Sequence, residues 1–249
     1  MAFTFQLLRA LAGWSAKAYD APTITDRATN AAALVTLDDN GNIIVAFRGS
    51  KNPRDFVQDA KFGMTRLITL SGGEEVHVHL GFKEDFEAIA VAVITNVKTL
   101  LAMNSQAKVW LTGHSLGGAL AILCAMEFRR QGIPVSQVIT FGQPRVGNAA
   151  FAAMYDAMPG LKQLTIRVIN QNDLIPRTPG WLMGYRHCGY EVLLFTPLFG
   201  GAVDFEVNPT LLQKLIADTI GLYGAYRYRE EVLIREHFMN AYETALKNL

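Results

Sequence analysis

Apolar residues first recur at helical spacing near the start of the chain. Leu7, Leu8, Leu11 and Trp14 predict an amphipathic helix that opens the domain and packs on a sheet. The period then changes. Ala32 to Leu37 and Ile43 to Phe47 are short apolar runs flanking Asp39-Asn40-Gly41-Asn42, and Asn40-Gly41 supplies the positive φ values of a tight turn, so a hairpin is predicted. Val76, Val78 and Leu80 alternate as a further strand. From about Phe82, the residues Phe86, Ile89, Ala90, Val93, Val97, Leu100 and Leu101 form one apolar face of a long helix.

Beyond that helix the pattern becomes regular. It reads strand Val109 to Thr112, helix Gly117 to Arg130, strand Val138 to Phe141, helix Asn148 to Met158 and strand Leu164 to Ile169. A βαβαβ order implies parallel strands. Arg129 and Arg130 near the end of one helix, with Gly132 just past it, are the expected C-terminal signals. Between Leu193 and Glu230 the pattern has no clear register apart from a helix after Asn208-Pro209. No repeat or low-complexity linker interrupts the chain, so a single domain over residues 1–249 is expected.

Composition narrows the classes. Half of the residues are hydrophobic (50%) and 18% are charged, which suits a large buried core and excludes disorder. The formal net charge of +1 provides no broad basic field, so no nucleic-acid partner is expected. Cys124 and Cys188 lie in apolar or motif-like stretches and read as free thiols. His77 and His79 have no Cys, Asp or Glu at a recognised ligand spacing, so they read as strand histidines, and no metal or other cofactor is expected. The stretch MAFTFQLLRALAGW lacks a basic n-region and Arg9 interrupts its apolar run. No signal peptide is therefore expected in this chain, which fits either a cytoplasmic protein or a secreted mature form. Apolar runs such as Gly118 to Met126 are short and bounded by charge, so no transmembrane segment is expected.

The candidate chemistry centres on Gly113-His114-Ser115-Leu116-Gly117. By composition alone about one chain in ten of this length would carry G-x-S-x-G, so the pattern by itself decides little. Its context does more, because a β-rich run ends at Thr112 and a helix of small apolar residues begins at Gly117. Such a strand-turn-helix elbow holds the serine in a strained turn that tolerates only glycine two residues away, and aims its hydroxyl out of the sheet, while the first helical turn directs N–H groups and positive dipole toward the reacting carbonyl.

A serine hydroxyl needs a base to take its proton and a carboxylate to orient that base. Asp173 follows directly on the strand Leu164 to Ile169, which puts it at the same carboxyl edge as Ser115. Asp204 and Glu206 are alternatives, and Asp156 sits on a predicted helix. Two histidines follow Asp173. His187 precedes the strand Gly189 to Phe195 and suits a structural hydrogen bond. His237 comes after all the strands and is preferred as base, while His114 suits support of the elbow.

With these residues in hand, the chain resembles the class 3 lipase family, the fungal-type triacylglycerol lipases and their bacterial relatives, from about Ala31 to Leu246. The resemblance rests on Val45-Ala46-Phe47-Arg48-Gly49-Ser50, Val78-His79-Leu80-Gly81-Phe82, the run Thr112 to Ala121, the run Thr140 to Asn148, and Asn172-Asp173-Leu174-Ile175-Pro176-Arg177. A His-x-x-x-x-Tyr ending, His237 to Tyr242, is similar as well. The resemblance implies an α/β-hydrolase fold with a mostly parallel central sheet and helices on both faces. It implies Ser115, Asp173 and His237 as triad, and the backbone N–H groups of Ser50 and Leu116 as oxyanion hole. It implies a lid at about 51–62, including Phe56, Val57 and Asp59, with Phe56 where several relatives have tryptophan. The expected activity is carboxylic-ester hydrolysis on acylglycerols through an acyl-enzyme. The partners are then a lipid or small-ester substrate and, transiently, a lipid–water interface. Two other readings stay open: an esterase on soluble esters of the feruloyl-esterase kind, and a catalytically silent hydrolase-fold binding module.

Overall fold

The apolar periods resolve into two layers of helices around a sheet. The computed structural model describes residues 4–50, 63–171, 173–195, 203–208, 210 and 237–249. Helix α1 (Phe5–Asp20) starts at Thr4, whose side chain accepts the Leu7 N–H, and buries Leu8, Leu11, Ala12 and Ala18. Strands β1 (Ile24–Thr25), β2 (Ala32–Leu37) and β3 (Ile43–Phe47) follow. The hairpin forms, but only Gly41 takes positive φ (75°), not Asn40. The Asp38 carboxylate accepts the N–H groups of both Asn40 and Asn42, closing the turn by side-chain bonding where a left-handed Asn-Gly pair was expected.

Strands β4 (Met64–Thr69) and β5 (Glu75–His79) precede helix α2 (Leu80–Met103). Leu80 was expected to continue the strand; it instead opens the helix, because His79, the last residue of β5, caps that helix with its ring nitrogen accepting the Phe82 N–H. Helix α2 is long and apolar enough to cross a membrane by length and composition, a feature the sequence reading missed. Here Phe82, Phe86, Ile89, Val93 and Val97 form its buried side and pack in the core.

Strand β6 (Val109–His114), helix α3 (Leu116–Arg130), strand β7 (Gln137–Phe141), the two-residue β8 (Gly147–Asn148), helix α4 (Ala149–Ala157) and β9 (Thr165–Asn170) complete the alternating region. Leu164 closes a short helical turn (Leu161–Leu164) and so falls outside β9. Strands β10 (Tyr185–Arg186), β11 (Tyr190–Phe195) and β12 (Asp204–Val207) and helix α5 (Met239–Lys247) end the described chain. The helix expected after Asn208-Pro209 lies outside the described residues.

The main sheet has eight strands in the order β1-β2-β3-β6-β7-β9-β11-β12. Its centre, β3-β6-β7-β9-β11, is parallel, and antiparallel strands flank it. A smaller sheet runs β10-β8-β5-β4. Both faces of the centre are buried. On β3, Val45 and Phe47 meet α2 and α3 in one apolar cluster, whereas Ile44 and Ala46 meet α1 and α5 in the other. Three turns therefore leave the same carboxyl edge of the sheet: Arg48 to Ser50 after β3, Ser115 after β6 and Gly142 after β7. The loop carrying Asp173 leaves the same edge from β9.

Candidate active site

Ser115 occupies the turn between β6 and α3 with φ 57° and ψ −129°, a conformation that costs a non-glycine residue on the order of 1–3 kcal/mol. Its N–H donates to the Phe141 carbonyl at 2.9 Å and its carbonyl accepts the Gly118 N–H at 2.9 Å, which hold the turn in place. The space is glycine-sized. A Cβ on Gly117 would strike the Phe47 carbonyl, one on Gly113 would strike the backbone of Gly117, and one on Gly118 would lie 2.9 Å from Gln143 Cβ. Leu116, the first residue of α3, has an N–H with no acceptor in its own helix.

Asp173 and His237 meet beside this elbow. His237 Nδ1 donates to Asp173 Oδ2 at 2.7 Å, and the Tyr242 hydroxyl donates to the same oxygen at 2.6 Å. Ile175 N–H donates to Asp173 Oδ1 at 2.9 Å. Asp173 is fully buried, and three donors offset the cost of removing its charge from water. Burial and the neighbouring Asp173 push the Tyr242 hydroxyl well above its ordinary range, so it stays a donor. Its oxygen also accepts the Asn170 N–H at 3.1 Å, which ties helix α5 to the end of β9.

Two polar atoms at this site are buried and have no hydrogen-bond partner among the described residues: Ser115 Oγ and His237 Nε2. A hydroxyl that can donate and a ring nitrogen that can accept, both buried, are the two ends of a proton transfer.

His114 supports the arrangement from behind. Its Nε2–H donates to the His237 carbonyl at 2.5 Å, which requires Nδ1 to be the acceptor from the Tyr19 hydroxyl at 2.8 Å. Burial, together with His237, holds the His114 imidazole neutral, well below its ordinary titration range. The Tyr19 hydroxyl in turn fills the space where a Cβ on Gly49 would stand, and such a Cβ would lie 3.2 Å from Ser115 Cβ. The Gly49–Ser50 backbone therefore packs directly on the elbow. Tyr19 and the hydroxyl contact of Tyr242 carried no sequence argument, and Gly142 had been given no role at the site. Gly142 has φ 59°, and a Cβ there would meet Asp173 Oδ2 at 2.8 Å and His237 Cε1 at 2.9 Å. In the sequence it stands at the end of an apolar strand, inside the run Thr140 to Asn148 on which the resemblance rests.

The remaining candidates fall elsewhere. His187 Nε2 donates to the Pro176 carbonyl at 2.7 Å, a structural bond. Asp156 receives the Gly189 N–H and pairs with Lys162, while Asp204 and Glu206 lie on the edge strand β12. His77 lies 3.4 Å from Glu75, His79 stacks on Phe82, and no group of three or more metal-ligating side chains forms among the described residues. Cys124 and Cys188 are free and buried, and burial pushes both thiols up, Cys188 to about 12. The segment 51–62, with Phe56, Val57 and Asp59, lies outside the described residues.

Comparison with known proteins points to one family. The family model described as lipase (class 3) matches residues 44–183. The secreted mono- and diacylglycerol lipase 1 of Fusarium solani is 35% identical over 177 residues, 71% of this chain and 50% of its own. The secreted mono- and diacylglycerol lipase A of Penicillium cyclopium is 34% identical over 207 residues, 79% of this chain and 65% of its own. The chain thus spans between half and two thirds of these relatives. The crystal structure of the lipase from Rhizopus microsporus var. chinensis superposes with a TM-score of 0.75 at 26% identity, over 87% of this chain and 83% of that one. The architecture is that of the α/β-hydrolases.

Proposed function

The chain belongs to the class 3 lipase family, and from that premise we propose that it is a serine carboxylic-ester hydrolase, a lipase cleaving acylglycerol esters through an acyl-enzyme. The observation that carries this reading is the strained, buried Ser115 beside a His237–Asp173 pair bonded at 2.7 Å. In it, Ser115 Oγ attacks the ester carbonyl as His237 Nε2 takes its proton. Asp173 holds the proton on His237 Nδ1 and stabilises the imidazolium that forms. The N–H groups of Ser50 and Leu116 receive the developing oxyanion, aided by the positive end of α3. His237 then protonates the leaving alcohol, and water repeats the sequence to free the acid. The substrate class follows the relatives, which are named mono- and diacylglycerol lipases. Residues 51–62, with Phe56, Val57 and Asp59, are the proposed lid over this site. The relatives are secreted proteins by name, and a secreted mature form is the proposed setting for this chain.

The test is Ser115→Ala, assayed on a panel of p-nitrophenyl esters from short to long acyl chains. It should lower kcat by about a million-fold and abolish labelling by a fluorophosphonate probe. Retention of both turnover and labelling by Ser115→Ala would refute the assignment. A wild-type protein that neither labels nor turns over any ester would favour a silent binding module.

A further inference from the structure

Eight residues past Asp173 the chain makes a single turn of 3-10 helix, Trp181–Met183, whose side chains are all left in solvent. Trp181 is 61%, Leu182 82% and Met183 53% exposed. Water-exposed apolar groups are ordinary singly, but three large ones in succession, one of them tryptophan, form a patch. The turn is also built to be stiff. The Trp181 carbonyl accepts the Gly184 N–H at 3.0 Å and Arg186 Nη1 at 2.8 Å, and Gly184 ends the turn with φ 87°. Arg145 Nη1 binds the carbonyls of Arg177 and Pro179, and His187 binds that of Pro176, so the turn is strapped to the loop that carries Asp173. A Cβ on Gly184 would touch Met64 Cε at 3.7 Å, and Met64 opens the strand that follows segment 51–62.

Charge surrounds the patch on one side. Arg167, Arg177 and Arg186 all lie within electrostatic reach of Arg145, which burial, and then their repulsion, lowers to about 10. Arg167 is compensated by Glu191 at 3.0 Å, whereas exposed Arg186 forms no ion pair with a carboxylate among the described residues. An apolar tip beside an uncompensated guanidinium matches the two layers of a lipid surface, acyl chains beneath and anionic headgroups above.

We propose that the Trp181–Met183 turn, flanked by Arg186, is a wedge that inserts into an anionic lipid surface and seats the active site against it. The inference rests on the lipase reading above and names the surface through which that site would meet its substrate phase. The size of the patch separates lipid from a second copy of the chain. Three side chains exposed to this degree offer roughly 300–400 Å², well short of the ~800 Å² per partner of a stable protein interface. A fluid surface needs only the tip.

The experiment uses vesicles of non-hydrolysable ether phosphatidylcholine, with and without ether phosphatidylglycerol, so that binding is read without turnover. Wild-type protein should show a blue shift of tryptophan emission on anionic vesicles, with quenching by brominated lipid, and should float with them. Trp181→Ser/Leu182→Ser should lose about 100-fold in vesicle affinity and the quenching, while keeping its kcat on soluble p-nitrophenyl acetate. Because both side chains are solvent-exposed, the melting temperature should stay within a degree or two, and Leu182→Ser alone supplies a milder check. Arg186→Gln should weaken binding to the anionic vesicles only. Equal flotation of wild type and double variant would overturn the wedge, as would a wild-type dimer in sedimentation that the double variant dissolves. If the wedge binds vesicles but the protein cleaves no ester, the docking inference stands and the hydrolase reading falls.

Discussion

Gly142→Ala isolates the close packing that holds the Asp173–His237 pair. The glycine has φ 59°, and the added methyl would lie 2.8 Å from Asp173 Oδ2 and 3.0 Å from His237 Nδ1. An ordinary contact needs about half an ångström more, so carboxylate and ring must move. Since a misplacement near 1 Å costs about 100-fold in rate, we expect kcat to fall by about 30- to 100-fold with KM nearly unchanged. The left-handed backbone adds about 1–2 kcal/mol of strain, or a drop of about 2–8 °C in Tm. Gly132→Ala provides the control, because Gly132 has φ 70° but no atom within 4 Å of the added Cβ. It should reproduce the loss in Tm with no loss in kcat. The assay is steady-state hydrolysis of a soluble p-nitrophenyl ester beside a thermal melt of each variant. A Gly142→Ala protein with wild-type kcat, or a Gly132→Ala protein that loses activity as well, would refute the reasoning.

Tyr242→Phe removes one of the three donors to Asp173 and the hydroxyl that accepts the Asn170 N–H; stability should fall by about 1–3 kcal/mol and kcat by about 10-fold, and a lowered Tm with unchanged kcat would leave Tyr242 a purely structural residue. Ser50→Ala keeps the backbone donor and deletes the hydroxyl, so if that hydroxyl meets the developing charge kcat should fall about 10²- to 10³-fold with little change in KM; a wild-type rate would restrict Ser50 to its N–H. His79 is lowered to about 4 by burial, so as pH falls the unfolded chain takes up a proton near 6.5 before the folded chain does, and its contribution, present above that value, is lost toward pH 4. Asp85, raised to about 6 by burial, Glu84 and Asp26, acts oppositely, its contribution being present below about 3.8 and lost as pH rises through 6. His79→Asn, which retains an acceptor for the Phe82 N–H, should therefore shrink the loss of Tm between pH 7 and 4.5 relative to wild type, and an identical pH profile would exclude the effect.

Periodicity alone was enough to order the central strands and helices, because strands buried on both faces and helices buried on one must keep their apolar period wherever they pack. It also located the elbow, since a serine between a strand and a small-residue helix is a local pattern. The same local logic put Asp173 at the carboxyl edge, one loop beyond its strand. Contacts distant in the chain were not legible in this way. The hydrogen bond from Tyr19 to His114 spans 95 positions and that from Tyr242 to Asp173 spans 69, and neither leaves a periodic trace. Leu80 was misread because alternation cannot show where a chain turns from sheet to helix, a choice made by the ring of His79 accepting the Phe82 N–H. The pairing of His237 with Asp173, when His187 was also at hand, required the fold. His187 bonds the Pro176 carbonyl, and only the packing of α5 on α1 and the far face of the sheet brings His237 back over the elbow. A residue's type and near neighbours fix the chemistry it can do, and the tertiary structure decides which such residues meet.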